Sequence, residues 1–269
     1  MEMMKHIYRF TANNPGAMTY NGTNQYLLGK DDITVIDVAL SADENVDGIL
    51  GQVEAMGGKR ICQIILTHIH KDHCGGALAL KKRSGAKLGI SKVREGFLGG
   101  EDYAYRDGEK IPYDGGELVV IHTPGHESGH CCFYDSEQQV LFTGDHILGK
   151  GTTVVPFPDG DMAAYIKSLE KLLPYKLRKL LPGHGPLIDD PYRKIREYIE
   201  HRLMREMQVL GCLREGIQIV ESMVQTIYKE YPPSLLPMAC LSVNAHLLKL
   251  IQEDKVIQKE NEYCLTDRV

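Results

Sequence analysis

The chain has 269 residues, 43% of them apolar and 25% charged, with a formal net charge of −5. That length and balance suit a globular protein of one large domain, or one with a small appendage, and exclude a disordered or fibrous chain. The acidic charge excludes non-specific attraction to nucleic acid or anionic membrane as the main business of the molecule. The N-terminal MEMMKHIYRFTANN has charges and aromatics but no apolar signal core, and no stretch reaches the ~20 apolar residues of a membrane span. Seven cysteines, odd in number and without a CxxC pair, indicate neither a disulfide framework nor a thiolate zinc site. A soluble cytoplasmic protein with reduced thiols is expected.

Taken in chain order, DITVIDVAL (32–40) predicts a buried strand, ENVDGILGQVEAMG (44–57) a helix stopping at glycine, and RICQIILT (60–67) a second buried strand. GALALKKRSG (76–85) is a short helix ended by glycine, and AKLGIS (86–91) a strand. ELVVIHTPG, CCFYD and QVLFTGD then follow as three strand-like runs separated by turns. This βαβαβ order with adjacent strands after it predicts an α/β layered fold with mixed sheets. Beyond Pro191 the pattern changes. YRKIREYIEHRLMREMQVLGCLREG is one long helical stretch, SMVQTIYKEY and LLPMACLSVNAHLLKLIQED are two more, and KVIQKENEYCLT is a β-hairpin. The expected domains are 1–190 and 191–269.

LTHIHKDHCGG (66–76) places His68, His70, Asp72 and His73 directly after an apolar run. Four metal-binding side chains in six positions have no packing purpose. Eight of the eleven histidines lie between positions 68 and 184. His126 in HTPGHESGH, Asp145 in LFTGDH and His184 in LLPGHGP each follow an apolar run, so a rigid sheet can aim them at a common point. His68, His70 and His126 offer one ion three nitrogens and an open position, the arrangement of catalytic zinc. Asp72, His73 and His184 offer a second ion one oxygen and two nitrogens, and Asp145 can bridge the pair. Two zinc ions roughly 3.5–4 Å apart can share a hydroxide as nucleophile. Two such ions, two carboxylates and a hydroxide sum to about +1, so an anionic substrate is expected. Manganese and iron are the alternative metals.

His68-x-His70-x-Asp72-His73 with His126, Asp145 and His184 resembles the full ligand set of the metallo-β-lactamase-fold hydrolases. The resemblance implies an αββα sandwich with the metals at one edge. GDHILGKGTTVV (144–155), the helix YIKSLEKLL, LLPGHGPLI and YIEHRLMREMQVL look like the β-lactamase-like protein 2 branch. Members of that branch carry a small C-terminal winged-helix-like domain, in agreement with the helix–helix–hairpin pattern. The resemblance therefore implies a zinc-dependent endoribonuclease acting on single-stranded RNA. True β-lactamases of this fold lack a bridging aspartate, so Asp145 argues against lactam hydrolysis. Flavodiiron relatives carry glutamate where this chain has His70, and nothing between 145 and 184 is long enough for the inserted domain of the larger RNA-processing relatives. A glyoxalase II-like thioester hydrolase, with the same seven ligands, is the alternative. A winged-helix regulator whose metal is only structural is the non-enzyme alternative, disfavoured because structural sites fill their ligand shell.

In the expected mechanism Asp72 orients the hydroxide while ligating the second ion, and His130 is a candidate acid for the leaving group, with support of a ligand or packing as its alternative. Lys150, Thr152 and Thr153 in GKGTT are candidate substrate contacts, with a solvated turn as the plainer reading. His122 and His146 read as residues that support the ligands or the packing, and His6, His201 and His246 as ordinary. Residues 191–269 hold eleven Lys and Arg against eleven Asp and Glu, so no basic face for sequence-specific DNA binding is expected. Specificity is expected to lie in loops such as 92–115.

Overall fold

The computed structural model of the protein describes residues 2–40 and 43–267. In chain order the elements are β1 (Glu2–Met4), β2 (Ile7–Thr11), β3 (Asn24–Leu28), β4 (Asp32–Ile36), α1 (Asp43–Ala55), β5 (Arg60–Ile65), α2 (Lys71–Cys74), α3 (Ala77–Ser84), β6 (Lys87–Ser91) and β7 (Tyr103–Tyr105). They continue through β8 (Lys110–Tyr113), β9 (Gly116–His122), β10 (Cys131–Asp135), β11 (Val140–Gly144), α4 (Met162–Leu172), β12 (Lys179–Pro182), α5 (Pro191–Arg214), α6 (Val220–Ile227), α7 (Leu236–Gln252), β13 (Val256–Lys259) and β14 (Glu262–Leu265). Contacts divide the chain into two compact units. One comprises 1–123, 129–152 and 174–192; the other comprises 124–128, 153–173 and 193–269.

The first unit holds two sheets. Strands β1 to β7 form one in sequence order, antiparallel from β1 to β4 and parallel from β4 to β7. The other has the order β12-β11-β10-β9-β8, antiparallel except for the parallel pair β11 and β12. DITVI and RICQII are near-continuous apolar runs because central parallel strands are covered on both faces. One face of the first sheet gives Leu28, Ile36, Ile65 and Tyr105 to a core shared with Leu118, Val120, Phe133, Phe142 and Leu181 of the second sheet. The other face packs Val35, Ile64 and Leu88 against Val46, Ile49 and Val53 of α1 and Leu80 of α3. Each such buried aliphatic side chain contributes about 1.5–3 kcal/mol of transfer free energy. Asp43 and Glu44 in the first turn of α1 complement its dipole. Helix α3 ends at Gly85, whose φ of +73° no β-carbon opposes.

Strand direction explains where the chemistry collects. β9 and β11 both run antiparallel to β10, and β12 runs parallel to β11. The C-terminal ends of β9, β11 and β12 therefore share one edge of the second sheet. The parallel neighbours β4 and β5 likewise end at a common edge of the first. His126, Asp145 and His184 follow β9, β11 and β12, while the histidine-rich segment follows β5.

In the second unit, Val209, Cys212 and Leu213 of α5 pack with Met223 and Val224 of α6, Val243, Leu247 and Leu250 of α7, and Val256 and Tyr263 of the hairpin. Within residues 233–252 an 18-residue window has a mean hydropathy of 1.4, enough by length and composition alone to cross a bilayer. The stretch nonetheless has a core face and a buried ion pair, Lys249 Nζ to Glu206 at 2.7 Å, which suit a packed helix. Residues 2–28 and 103–113 hold strands that the sequence pattern did not reveal.

Candidate metal centre

Two groups of side chains each bring their ligand atoms within 4.8 Å of one another: His68, His70, His126 and Asp145, and Asp72, His73 and His184. Their orientations follow from the second nitrogen of each ring, with tautomers assigned from the hydrogen-bond network. Asp37, at the end of β4, accepts from the Thr67 amide at 2.7 Å and from Thr67 Oγ1 at 2.8 Å. Thr67 Oγ1 in turn accepts from His68 Nδ1 at 3.0 Å, which leaves His68 Nε2 as a bare lone pair. That nitrogen lies 3.0 Å from His70 Nδ1. His73 Nδ1 donates at 2.8 Å to Asp37 Oδ2, the oxygen that also accepts from Thr67 Oγ1. His184 Nδ1 donates to the Gly22 carbonyl at 3.1 Å, and His126 Nδ1 to the Val154 carbonyl at 2.7 Å.

The bare nitrogens then meet carboxylate oxygens. His73 Nε2 and His184 Nε2 are 3.1 Å apart. Asp145 Oδ1 lies 3.3 Å from the first and 3.2 Å from the second, and Asp72 Oδ2 lies 3.2 Å from His184 Nε2. Lone pairs converging at such distances repel unless a positive charge sits among them. The donor set of imidazoles with carboxylates suits a borderline divalent ion such as zinc, and the residues fit the group. Titration points the same way. Burial favours the neutral form of Asp145, yet the charges of His73 and His184 override it and hold its carboxyl well below the usual range. Burial also opposes charge on His184, but Asp145 and Asp72 push that imidazole up to about 9. His73 is raised well above its ordinary value by Asp145 and Asp37 against the same burial. The cluster demands positive charge.

The remaining sequence-predicted residues take other positions. His130 is fully buried, its Nδ1 2.9 Å from Thr123 Oγ1 and its ring 5.1 Å from that of His68. Gly144 leaves it room, since a β-carbon there would meet His130 Nε2 at 2.7 Å. Lys150 sets its ammonium 4.4 Å over the ring of Tyr20, which is 48% exposed. Thr152 is exposed, and Thr153 is buried with its carbonyl accepting from Arg202. His146 is buried, and His122 ends β9. Asp37 was missed by sequence reasoning, although a carboxylate inside the apolar run DITVIDVAL was a visible signal. Glu127, fully buried beside His126, was missed as well.

The sequence profile of the Metallo-beta-lactamase superfamily matches residues 18–184, and that of the Beta-lactamase associated winged helix domain matches 220–263. A Beta-lactamase-like protein 2 homolog of Drosophila melanogaster is 37% identical over 93% of this chain and 89% of its own length. An Atrochrysone carboxyl ACP thioesterase of Aspergillus chevalieri is 33% identical over 93% of this chain and 82% of its own. Among solved structures, a metallo-β-lactamase family protein of Thermus thermophilus superimposes with a TM-score of 0.83 at 21% identity, covering 98% of this chain and all of that one. The α/β fold with its mixed sheets, the histidine and aspartate cluster at the strand ends and the C-terminal helices thus meet in one assignment: the chain belongs to the metallo-β-lactamase superfamily, with an associated winged-helix domain.

Proposed function

We propose that the protein is a dinuclear zinc hydrolase that cleaves an acyl thioester. His68, His70 and His126 would hold one ion and Asp72, His73 and His184 the other, with the Asp145 carboxylate beside both groups. Two such ions supply a nucleophile from water at neutral pH and polarise the scissile carbonyl. Asp72, the most open of the carboxylates at 26% side-chain exposure, would hold the second ion through Oδ2, the oxygen 3.2 Å from His184 Nε2, and would leave its other oxygen to orient the nucleophile. Asp37 and Thr67 hold His73 and His68 in the tautomers that aim Nε2 at the centre.

The observation that carries the thioester reading is the burial of His130. Fully enclosed beside Thr123, with its ring 5.1 Å from that of His68, it is placed to support its neighbour and not to meet solvent. A thiol, with an ordinary pKa of about 8.5, departs as thiolate without a proton. The alkoxide released from a phosphodiester needs one. The thioesterase relative supports the same reading, and so does the charge of 92–115, where four Lys and Arg face six Asp and Glu.

One observation favours a second reading, an endoribonuclease acting on single-stranded RNA. Tyr20 with Lys150 combines an exposed ring and a cation, the elements of a stacking and phosphate platform. The test is a paired assay on protein of known zinc content: S-D-lactoylglutathione and acyl-N-acetylcysteamine thioesters against a fluorescent single-stranded RNA, each with and without chelator. Chelator-sensitive thioester turnover with intact RNA is expected. RNA cleavage lost in His68→Ala, without thioester turnover, overturns the reading. The winged-helix domain handles substrate in this proposal, and duplex DNA binds it weakly at any salt concentration.

A further inference from the structure

Two backbone segments of the first unit are fastened to His184, the last metal-facing side chain in chain order. The Gly22 carbonyl accepts from its Nδ1 at 3.1 Å, Thr23 pairs with it in an isolated antiparallel bridge, and the Gly149 amide donates to its carbonyl at 2.9 Å. Tyr20 stands two residues before Gly22, and Lys150 follows Gly149 directly. Their α-carbons therefore lie no more than about 7 Å from that of Gly22 and about 4 Å from that of Gly149. Where the two segments meet, the Lys150 ammonium sits 4.4 Å from the centre of the Tyr20 ring.

The backbone holds both members before any ligand arrives. Tyr20 has φ +58°, a left-handed conformation in which a bulky residue is an outlier. It is kept there by its own amide, which donates to the Gly16 carbonyl at 2.8 Å, and by the Gly22 amide, which donates to the Thr19 carbonyl at 2.9 Å. Thr19 Oγ1 ties the same turn to the Asn14 carbonyl at 2.6 Å. Gly22 brings the chain against Ala12, whose carbonyl oxygen a β-carbon would approach to 2.0 Å. A β-carbon on Gly149 would likewise lie 2.0 Å from the Pro186 carbonyl oxygen, so the segment before Lys150 runs close against 184–186. The result is an aromatic ring set half in solvent with a cation over it.

Charge decides what such a pair takes. Among the described residues no carboxylate pairs with Lys150, whereas Lys81, Lys92, Lys110 and Lys179 each have one. The ring attracts the ammonium from one side only, the contact is weak at an exposed site, and the group carries three donors. An ammonium kept in one place with donors to spare suits a phosphate or carboxylate oxygen. The ions that the cage fits would draw the same kind of group towards His184. A pre-formed contact also spares part of the ordering cost of binding.

We propose that Tyr20 and Lys150 form an anion-binding subsite beside His184, which holds a phosphate or carboxylate carried by the substrate. The inference rests on the thioester reading and names its substrate class, thioesters that bear a fixed negative charge. The probes are non-hydrolysable thioethers in matched pairs, titrated by calorimetry into zinc-loaded protein: S-propyl-4′-phosphopantetheine against S-propylpantetheine, and S-propylglutathione against its diethyl ester. In at least one pair the charged member should bind roughly tenfold tighter, and the pair with the larger preference assigns phosphate or carboxylate. Lys150→Met keeps the stem and removes the charge, so it should erase that preference; attraction to the ions themselves is common to parent and variant. Tyr20→Leu leaves the ammonium unplaced and should reduce the preference about threefold. Circular dichroism and melting temperature should show both variants folded. Equal affinities within both pairs, or a preference that Lys150→Met leaves intact, overturn the subsite, and a preference unmoved by Tyr20→Leu removes the ring from it. Thioester turnover alongside any of those results leaves the thioester reading standing. A preference erased by Lys150→Met, in a protein that hydrolyses neither S-acetyl-4′-phosphopantetheine nor S-D-lactoylglutathione, supports the subsite and removes the thioester reading.

Discussion

Asp37→Ala removes the group on which two metal-facing histidines depend. The carboxylate accepts from the Thr67 amide, Thr67 Oγ1 and His73 Nδ1, all at 2.7–2.8 Å, and is 2% exposed. Truncation leaves the Thr67 amide and His73 Nδ1–H buried without their acceptor, at about 1–3 kcal/mol each. Asp37 also has φ +63°, which aspartate with its hydrogen-bonding side chain tolerates better than alanine by something under ~1 kcal/mol. The expected loss of folding free energy is therefore about 3–5 kcal/mol. Freed of its acceptor, His73 no longer presents Nε2 in one tautomer, and metal affinity should fall by about 10–100-fold. Urea unfolding of metal-free protein measures the first quantity; titration of zinc against a competing chelator measures the second. Asp37→Asn keeps the size and one acceptor oxygen, so it should recover part of the stability but little of the affinity. An Asp37→Ala protein within about 1 kcal/mol of the parent and with unchanged zinc affinity would refute the relay through Thr67 and His73.

Asp145→Ala should lower metal content towards one ion per chain by native mass spectrometry and abolish turnover; two ions with full activity would sink the bridging role. Gly125→Ala must place a β-carbon 2.3 Å from Tyr165 Cα at φ +135°. It should cost well over ~1 kcal/mol, read as a fall in melting temperature. Burial, then Arg202, Arg205 and His246, push the His201 imidazole down to about 4. Since the unfolded chain takes up that proton near its ordinary value and the folded chain does not, the stability contribution is complete above the ordinary value. It is lost as pH falls from there towards 4. His201→Gln should flatten this part of the stability–pH curve, and an unchanged slope would remove the assignment.

The histidine segment was legible because it breaks a rule of composition: HxHxDH follows a buried strand and has nothing to bury. The ends of β9, β11 and β12 were legible because each apolar run stops at a glycine-flanked His or Asp. The C-terminal helices and hairpin showed through helical and alternating periodicity. By contrast, β2 and β3 are separated by a turn-rich stretch and carry polar residues such as Arg9 and Asn24, so the pairing of β2 with β3 and of β3 with β4 leaves no local trace. β7 and β8, three and four residues long, are too short for periodicity to register. Asp37 lay unremarked inside the expected strand DITVIDVAL, and only the pairing of β4 with β5 reveals what it faces. The carbonyls of Gly22 and Val154 that orient His184 and His126 have no signature at all, because any residue carries one.

The cage draws on chain positions from Gly22, whose carbonyl turns His184, to His184 itself. On a ribosome the segment 68–73 emerges more than a hundred residues before the last ligand. An ion met early is held by a few side chains of an unfinished sheet and exchanges freely with its surroundings. Commitment comes only when β12 pairs beside β11 and carries His184 into place. The ion that stays is thus selected by the supply at that late moment. The same dependence runs backwards: peeling β12 from the sheet edge opens the cage, so the rate at which a labelled ion is exchanged out of the finished protein measures how often that strand detaches.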